Sequence, residues 1–234
     1  MGILWSFFNP VLMLVVYTFV FSIVFKARWI GGTDSKTEFA LVLFAGLMMY
    51  NLFAECINRA PGLVLSNVNY VKKVVFPLEI LPIVAIGSAT FHLIISLFVW
   101  LGFYMIFIGI PPSTLWLLPL LLFPFFLMIL GLTWLLASLG VYLRDVAQII
   151  GILTTALLFL SPIFYPISAL PVEYHHFIQA SPLTFIVEQA REIMIWGKGL
   201  NWSTWIIYSL CSFFTAWLGF AWFQKTRKGF ADVL

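Results

Sequence analysis

From Ile80 to Leu143 the chain runs for 64 residues without a single Lys, Arg, Asp or Glu. A water-soluble domain carries about 25% charged residues, so a run of this kind belongs in hydrocarbon. The bilayer core is about 30 Å thick and takes about 20 apolar residues per helix. The run is therefore too long for one crossing, and Gly109-Ile110-Pro111-Pro112-Ser113 interrupts it. It predicts two spans joined by a tight turn. The rest of the chain has the same character, with 63% hydrophobic and 9% charged residues in 234. One core of this size cannot hide that much apolar surface from water, which excludes a water-soluble enzyme.

Four more apolar stretches, in which the only charged residues are Glu55 and, at the very edge, Lys26, complete the pattern, giving six spans at about 5–26, 39–58, 80–108, 114–142, 146–165 and 202–224. Strands of a membrane barrel would alternate over segments of about 10 residues. Here the apolar runs are continuous, so the predicted fold is all-α, a single polytopic transmembrane domain over residues 1–234. With both termini cytoplasmic, the inner loops hold seven cations (Arg59, Lys72, Lys73, Arg144, Lys225, Arg227, Lys228) and the outer loops five (Lys26, Arg28, Lys36, Arg191, Lys198). That sign matches the positive-inside rule. Cys56 and Cys211 fall at different depths, which argues against a disulfide.

Loop size carries the first functional signal. Gly109–Thr114 and Arg144–Asp145 are minimal links, whereas Arg59–Glu79 is a long inner segment. It breaks at Pro61-Gly62 and then predicts a short amphipathic helix through Asn67, Asn69, Tyr70, Lys72 and Lys73. Such a helix either rests on anionic headgroups or docks into a soluble partner, and composition alone does not choose between them. The second long segment, about 170–197, predicts two short outer helices, one after Leu170-Pro171 and one after Ser181-Pro182, with Gly197 as the stop. In the second helix Leu183, Ile186, Val187, Ala190, Ile193 and Met194 form an apolar stripe, with Glu188, Arg191 and Glu192 expected off it. Helices this short lie in the interface or dip back as a lid.

Charges inside spans cost about 2.5–3.5 kcal/mol each at mid-membrane on insertion scales, and this chain has almost none. Glu55 has Arg59 one turn on. The lack of a carboxylate relay argues against a proton- or sodium-driven carrier, so energy must come from elsewhere. The chain contains no G-x-x-x-x-G-K-[ST], so it does not cradle ATP itself. No stripe of nucleic-acid-binding type is present. Ser88 and His92, one turn apart, invite an intramembrane hydrolase, but no other element supplies a base or oxyanion donors. His175-His176 with Glu173 reads as a solvated face rather than a metal site, since adjacent helix residues point apart. Aromatic residues make up 18% of the chain. Many Trp and Tyr are interface anchors, whereas Tyr17, Phe21, Tyr50, Phe53 and Phe159, with Tyr165 at the outer end of the fifth span, sit on repeating faces. They are candidates either for helix packing or for an uncharged path for a carbohydrate or lipid.

Several stretches, in order, resemble one family: the membrane (permease) subunit of bacterial ATP-binding-cassette polysaccharide exporters of the O-antigen, capsule or teichoic-acid type. They are WSFFNPVLMLVVYTFVFSIVFKAR at Trp5–Arg28, NVNYVKKVVFPLEILP at Asn67–Pro82, GVYLRDVAQI at Gly140–Ile149, SPIFYP at Ser161–Pro166 with SPLTFIVEQAR at Ser181–Arg191, and FADVL at Phe230–Leu234. One departure is visible: the family usually has a basic amphipathic helix ahead of its first span, and this sequence reaches that span at Trp5. The resemblance implies a transport subunit of the inner membrane rather than an enzyme. It would pair with a second copy and with two nucleotide-binding ATPase subunits that carry the ATP and Mg. Asn67, Asn69, Tyr70, Lys72, Lys73, Arg144 and Asp145 would then meet the ATPase. Pro171, Ser181, Pro182, Glu188 and Arg191 would belong to an outer gate. A lipid-linked polysaccharide would pass between the two copies. An exporter of a drug or small lipid is the second reading.

Overall fold

The computed structural model describes residues 2–17, 19–20, 36–72 and 76–234, and among these it contains no strand. The helices are α1 (Gly2–Tyr17), α2 (Lys36–Arg59), α3 (Val68–Lys72), α4 (Ile80–Phe107), α5 (Leu118–Tyr142), α6 (Val146–Leu160), α7 (Val172–Gln179), α8 (Pro182–Met194), α9 (Trp202–Thr226) and α10 (Phe230–Val233). Among the described residues, four helical segments are long and apolar enough to cross a bilayer: Thr37–Gly62, Ile80–Phe107, Ser113–Tyr142 and Trp202–Val233. Phe7–Tyr17 and Val146–Leu160 are shorter apolar helices. The first of the four is the most enclosed, with 83% of its apolar window buried against 28% to 44% in the others. Apolar side chains facing outward on α4, α5 and α9 are what lipid-facing helices require.

Several boundaries follow from local chemistry. α4 starts at Ile80, where the charge-free run starts, and ends at Phe107. Gly109 (φ 123°) then turns the chain, a backbone region that a side chain would strain. α6 stops at Leu160, short of the expected 165, because Pro162 and Pro166 follow. The short amphipathic helix expected through residues 67–73 corresponds to α3, described over Val68–Lys72 after two 3-10 turns (Ala60–Gly62, Leu65–Asn67). The first helix, expected over 5–26, is described only as far as residue 20, so its far end lies outside the described residues.

The chain folds into two compact units, each assembled from separated stretches of sequence. The first comprises Met1–Asn51, Phe91–Leu121 and Leu158–Asn201. Within it Trp100, fully buried, donates from its indole to the Leu41 carbonyl at 3.1 Å, and Thr114 donates to the Ile193 carbonyl at 2.7 Å. The second comprises Leu52–Thr90, Leu122–Leu157 and Trp202–Leu234. Its core gathers Leu63, Val64, Leu78, Leu81, Ala85, Trp134, Ala137, Val141, Phe223 and Phe230. Gly131 and Gly219 let α5 and α9 touch backbone to backbone, and a Cβ on Gly219 would overlap the Gly131 carbonyl. Small residues at such crossings are the usual device of helix packing in lipid.

Candidate functional site

α8 is built around one cation. The turn after α6, Ser161-Pro162-Ile163, leaves carbonyls with no helical donor, and buried backbone acceptors need partners. Arg191, fully buried, supplies them: Nη1 donates to the Pro162 carbonyl and Nη2 to the Ile163 carbonyl, each at 2.6 Å. Nε donates to the Val42 carbonyl on α2 at 3.1 Å, and Nη1 also pairs with Glu188 Oε1 at 3.0 Å. Desolvation draws the Arg191 pKa down to about 10, opposed by Glu188, so the group stays a cation at neutral pH. Desolvation also raises the Glu188 pKa, with Arg191 pulling the other way. Beyond the node, Gln189 donates to Glu192 and accepts from the Asn201 amide at 2.9 Å, while Lys198 pairs with Glu192 at 3.2 Å. Gly197 (φ 62°) ends this corner, as its position in the sequence suggests.

α7 and α8 differ in kind. Nine residues of α8 are buried, Leu183, Ile186 and Ile193 among them, whereas no residue of α7 is. Pro171 and Ser181 occupy the N-cap positions of α7 and α8, and Pro182 is the first residue of α8, although the Ser181 side chain makes no capping bond. The expectation that Arg191 lies off the apolar stripe is corrected: it is enclosed. Its carbonyl partners are 28, 29 and 149 residues away, so no local pattern could reveal them. On α7, His175 bonds the Leu170 carbonyl at 3.0 Å, and Val172, Tyr174 and Phe177 are exposed.

The candidate path residues separate into two groups. Tyr50 and Phe53 are buried, 7% and 5% exposed, and Tyr17 is half-buried. Phe159 stands out at 62% exposed, and the Tyr165 hydroxyl donates to the Phe159 and Leu160 carbonyls at 3.2 and 3.1 Å. Phe21 lies outside the described residues. Ser88 accepts from Arg59 at 3.4 Å, and Arg59 pairs with Glu55 at 3.3 Å. His92 is exposed on α4.

The candidate docking residues belong to the second unit. Asn67 donates to the Leu63 carbonyl at 2.9 Å, closing the turn ahead of α3. Asn69, Tyr70 and Lys72 are exposed, and the Tyr70 ring stacks on Phe76 at 4.7 Å. Lys73 lies outside the described residues. Arg144 and Asp145 are exposed in the turn between α5 and α6. Gly140, near that end of α5, has its backbone against the Pro61 carbonyl, which brings the end of α5 beside the turn that follows α2. Sequence reasoning missed a further set here: Glu79, ahead of α4, pairs with Arg227 at 2.9 Å and accepts from Gln224 at 3.4 Å.

Apolar helices long enough to cross a bilayer, and no strand among the described residues, define an all-α polytopic membrane protein. The chain belongs to the ABC-2 type transporter family, whose profile matches residues 1–195. It is similar over its full length to proteins described as O-antigen export system permease protein RfbA. One from Klebsiella pneumoniae is 25% identical over 235 residues, covering 100% of this chain and 87% of its own length. A second from the same species is 23% identical over 236 residues, covering 100% and 88%. A protein of that description from Myxococcus xanthus is also 23% identical over 236 residues, with the same 100% and 88%.

Proposed function

We propose that this chain is the membrane-spanning subunit of an ATP-driven exporter that threads a lipid-linked, O-antigen-like polysaccharide across the bacterial inner membrane. The observation that carries the reading is the similarity to O-antigen export permeases along the whole chain. Two copies, each with six spans and both termini cytoplasmic, enclose the path, and two nucleotide-binding subunits supply ATP and Mg. The chain has no phosphate-cradling motif and nearly no charge inside its spans, so the motor is a separate polypeptide. α3 and the Arg144–Asp145 turn face that motor, with Tyr70 and Lys72 exposed for contact. ATP binding there moves α3 and the start of α4, opening the path. α7, with no buried residue, is the moving part of the outer gate, and α8, fixed through Arg191, is its post.

Charge reversal at the docking face tests this reading. Lys72→Glu with Lys73→Glu should reduce co-purification of the nucleotide-binding subunit and abolish stimulation of its ATPase, with the permease itself still monodisperse in detergent. Unchanged complex yield and unchanged ATPase stimulation would remove the docking assignment.

One observation favours the second reading, a small lipid as cargo. In the first unit Leu14, Val15, Phe19, Ala40, Leu41 and Phe103 line much of an apolar cleft of about 310 Å³. Export assays with a short-chain lipid and with the polysaccharide, run side by side, separate the two. Transport of the lipid alone would favour the cleft.

A further inference from the structure

α3 is described over five residues, and so short a helical stretch has no stability without tertiary packing. Something must hold it. Val71, one of its two partly buried residues, and Phe76 beyond it pack against the core of the second unit, and Phe76 in turn carries the Tyr70 ring. Within that same core Phe230 is fully buried, edge-on to Phe223 at 5.6 Å and tilted against Tyr142 at 5.9 Å. The Tyr142 hydroxyl donates to the Thr226 carbonyl at 2.8 Å, fastening the end of α5 to the end of α9. α10 itself packs directly on α3. On its other side the segment is tied down by Arg227, whose Nη1 meets both Glu79 oxygens at 3.1 and 2.9 Å. Glu79 is in turn located by the Trp134 indole, which donates to its carbonyl at 3.1 Å.

We infer that residues 227–234 are the platform that positions α3, with Phe230 as its anchor and Arg227–Glu79 as its tie to the start of α4. These are positioning residues: none needs to touch the nucleotide-binding subunit or the cargo. The arrangement joins α3, residues 227–234 and the start of α4 in one cluster, so a push on α3 would meet Phe230 and the Glu79 end of α4 together. That α3 is the docking element rests on the reading above, whereas its placement by this segment does not.

The test reads placement and docking separately. In a Cys211→Ser background, which leaves Cys56 buried, Val71→Cys, at a partly buried position of α3, is labelled with a soluble maleimide in the detergent-purified permease. Arg227→Glu and Phe230→Ala should each raise the labelling rate, Phe230→Ala by at least about fivefold, the change expected when a local opening equilibrium loses a small part of its stability. The double exchange Glu79→Arg with Arg227→Glu should restore the parent rate, which a general loss of fold would not do. If Arg227→Glu and Phe230→Ala both leave labelling unchanged, the platform does not exist. If labelling rises while capture of the nucleotide-binding subunit stays intact, the platform stands and the docking role of α3 falls.

Discussion

The guanidinium of Arg191 lies against the backbone of Gly46, where a Cβ would come within 2.6 Å of Nη2. Val187, one helical turn before Arg191, occupies the same space, 3.2 Å from that Cβ position. Gly46 is thus the gap in α2 that allows a buried cation to reach the Val42 carbonyl.

Removing the cation should cost more than crowding it. Arg191→Met strands the Pro162 and Ile163 carbonyls and leaves Glu188 without its cation, a loss of about 3–5 kcal/mol by analogy with broken buried pairs. Arg191→Lys keeps the charge but cannot serve four acceptors, and should fall between. Gly46→Ala pushes on the tip of a side chain rather than on backbone, though one held by four hydrogen bonds, and leaves the cation and its acceptors in place, so it should cost less than either. Melting temperatures in detergent should follow the order wild type, Gly46→Ala, Arg191→Lys, Arg191→Met.

The crossing of α5 and α9 has no such freedom. A Cβ at Gly219 meets backbone rather than a side chain, so Gly219→Ala must separate the two helices. An overpacking cost of about 1–3 kcal/mol follows. Thermal scanning should show a lower midpoint than for Gly87→Ala, where a Cβ meets open space.

Packing and path can be told apart among the aromatics. Phe53→Ala opens a cavity in the interior and should cost about 3–5 kcal/mol. Phe159→Ala, at an exposed position, should leave stability within about 0.5 kcal/mol and slow export of a long glycan instead. Paired melting and transport assays check both, and a transport defect confined to Phe53→Ala would exclude Phe159 from the path.

How much of this was legible in sequence depends on where each residue's partners lie. α4 and α9 follow from charge placement, because a charge-free run in this context has one physical solution. The break at Gly109 and the stop at Gly197 are local backbone effects and were equally visible. Arg191 was not, because its charge argues for a solvated face while its acceptors come from remote segments. Phe230 and Arg227 were hidden for the same reason: Arg227 reaches a carboxylate 148 residues earlier. The 3-10 turns ahead of α3, at Ala60–Gly62 and Leu65–Asn67, do not show in amphipathic spacing. Lys73 and Phe21 fall outside the described residues.

The Glu79 tie should show in pH dependence. Burial pushes its carboxyl up, but its backbone hydrogen bond, Arg227 and Gln224 together hold it below the ordinary range. A carboxyl that is more acidic folded than unfolded stabilises fully above the unfolded value of about 4.3. That contribution drains away as pH falls through the lower folded value. The pair is partly exposed, so the effect stays below about 1 kcal/mol. Between pH 7 and pH 3, Glu79→Gln should show a shallower fall in melting temperature than wild type. An equal slope in both proteins would place the acid sensitivity elsewhere.

The central claim is that this subunit provides the passage and a separate ATPase the drive. The direct measurement is translocation of a lipid-linked polysaccharide into sealed proteoliposomes, with the chain alone and with its nucleotide-binding subunit. Transport should require both the subunit and hydrolysable ATP. Sustained uptake by the chain alone, without nucleotide, would contradict the account.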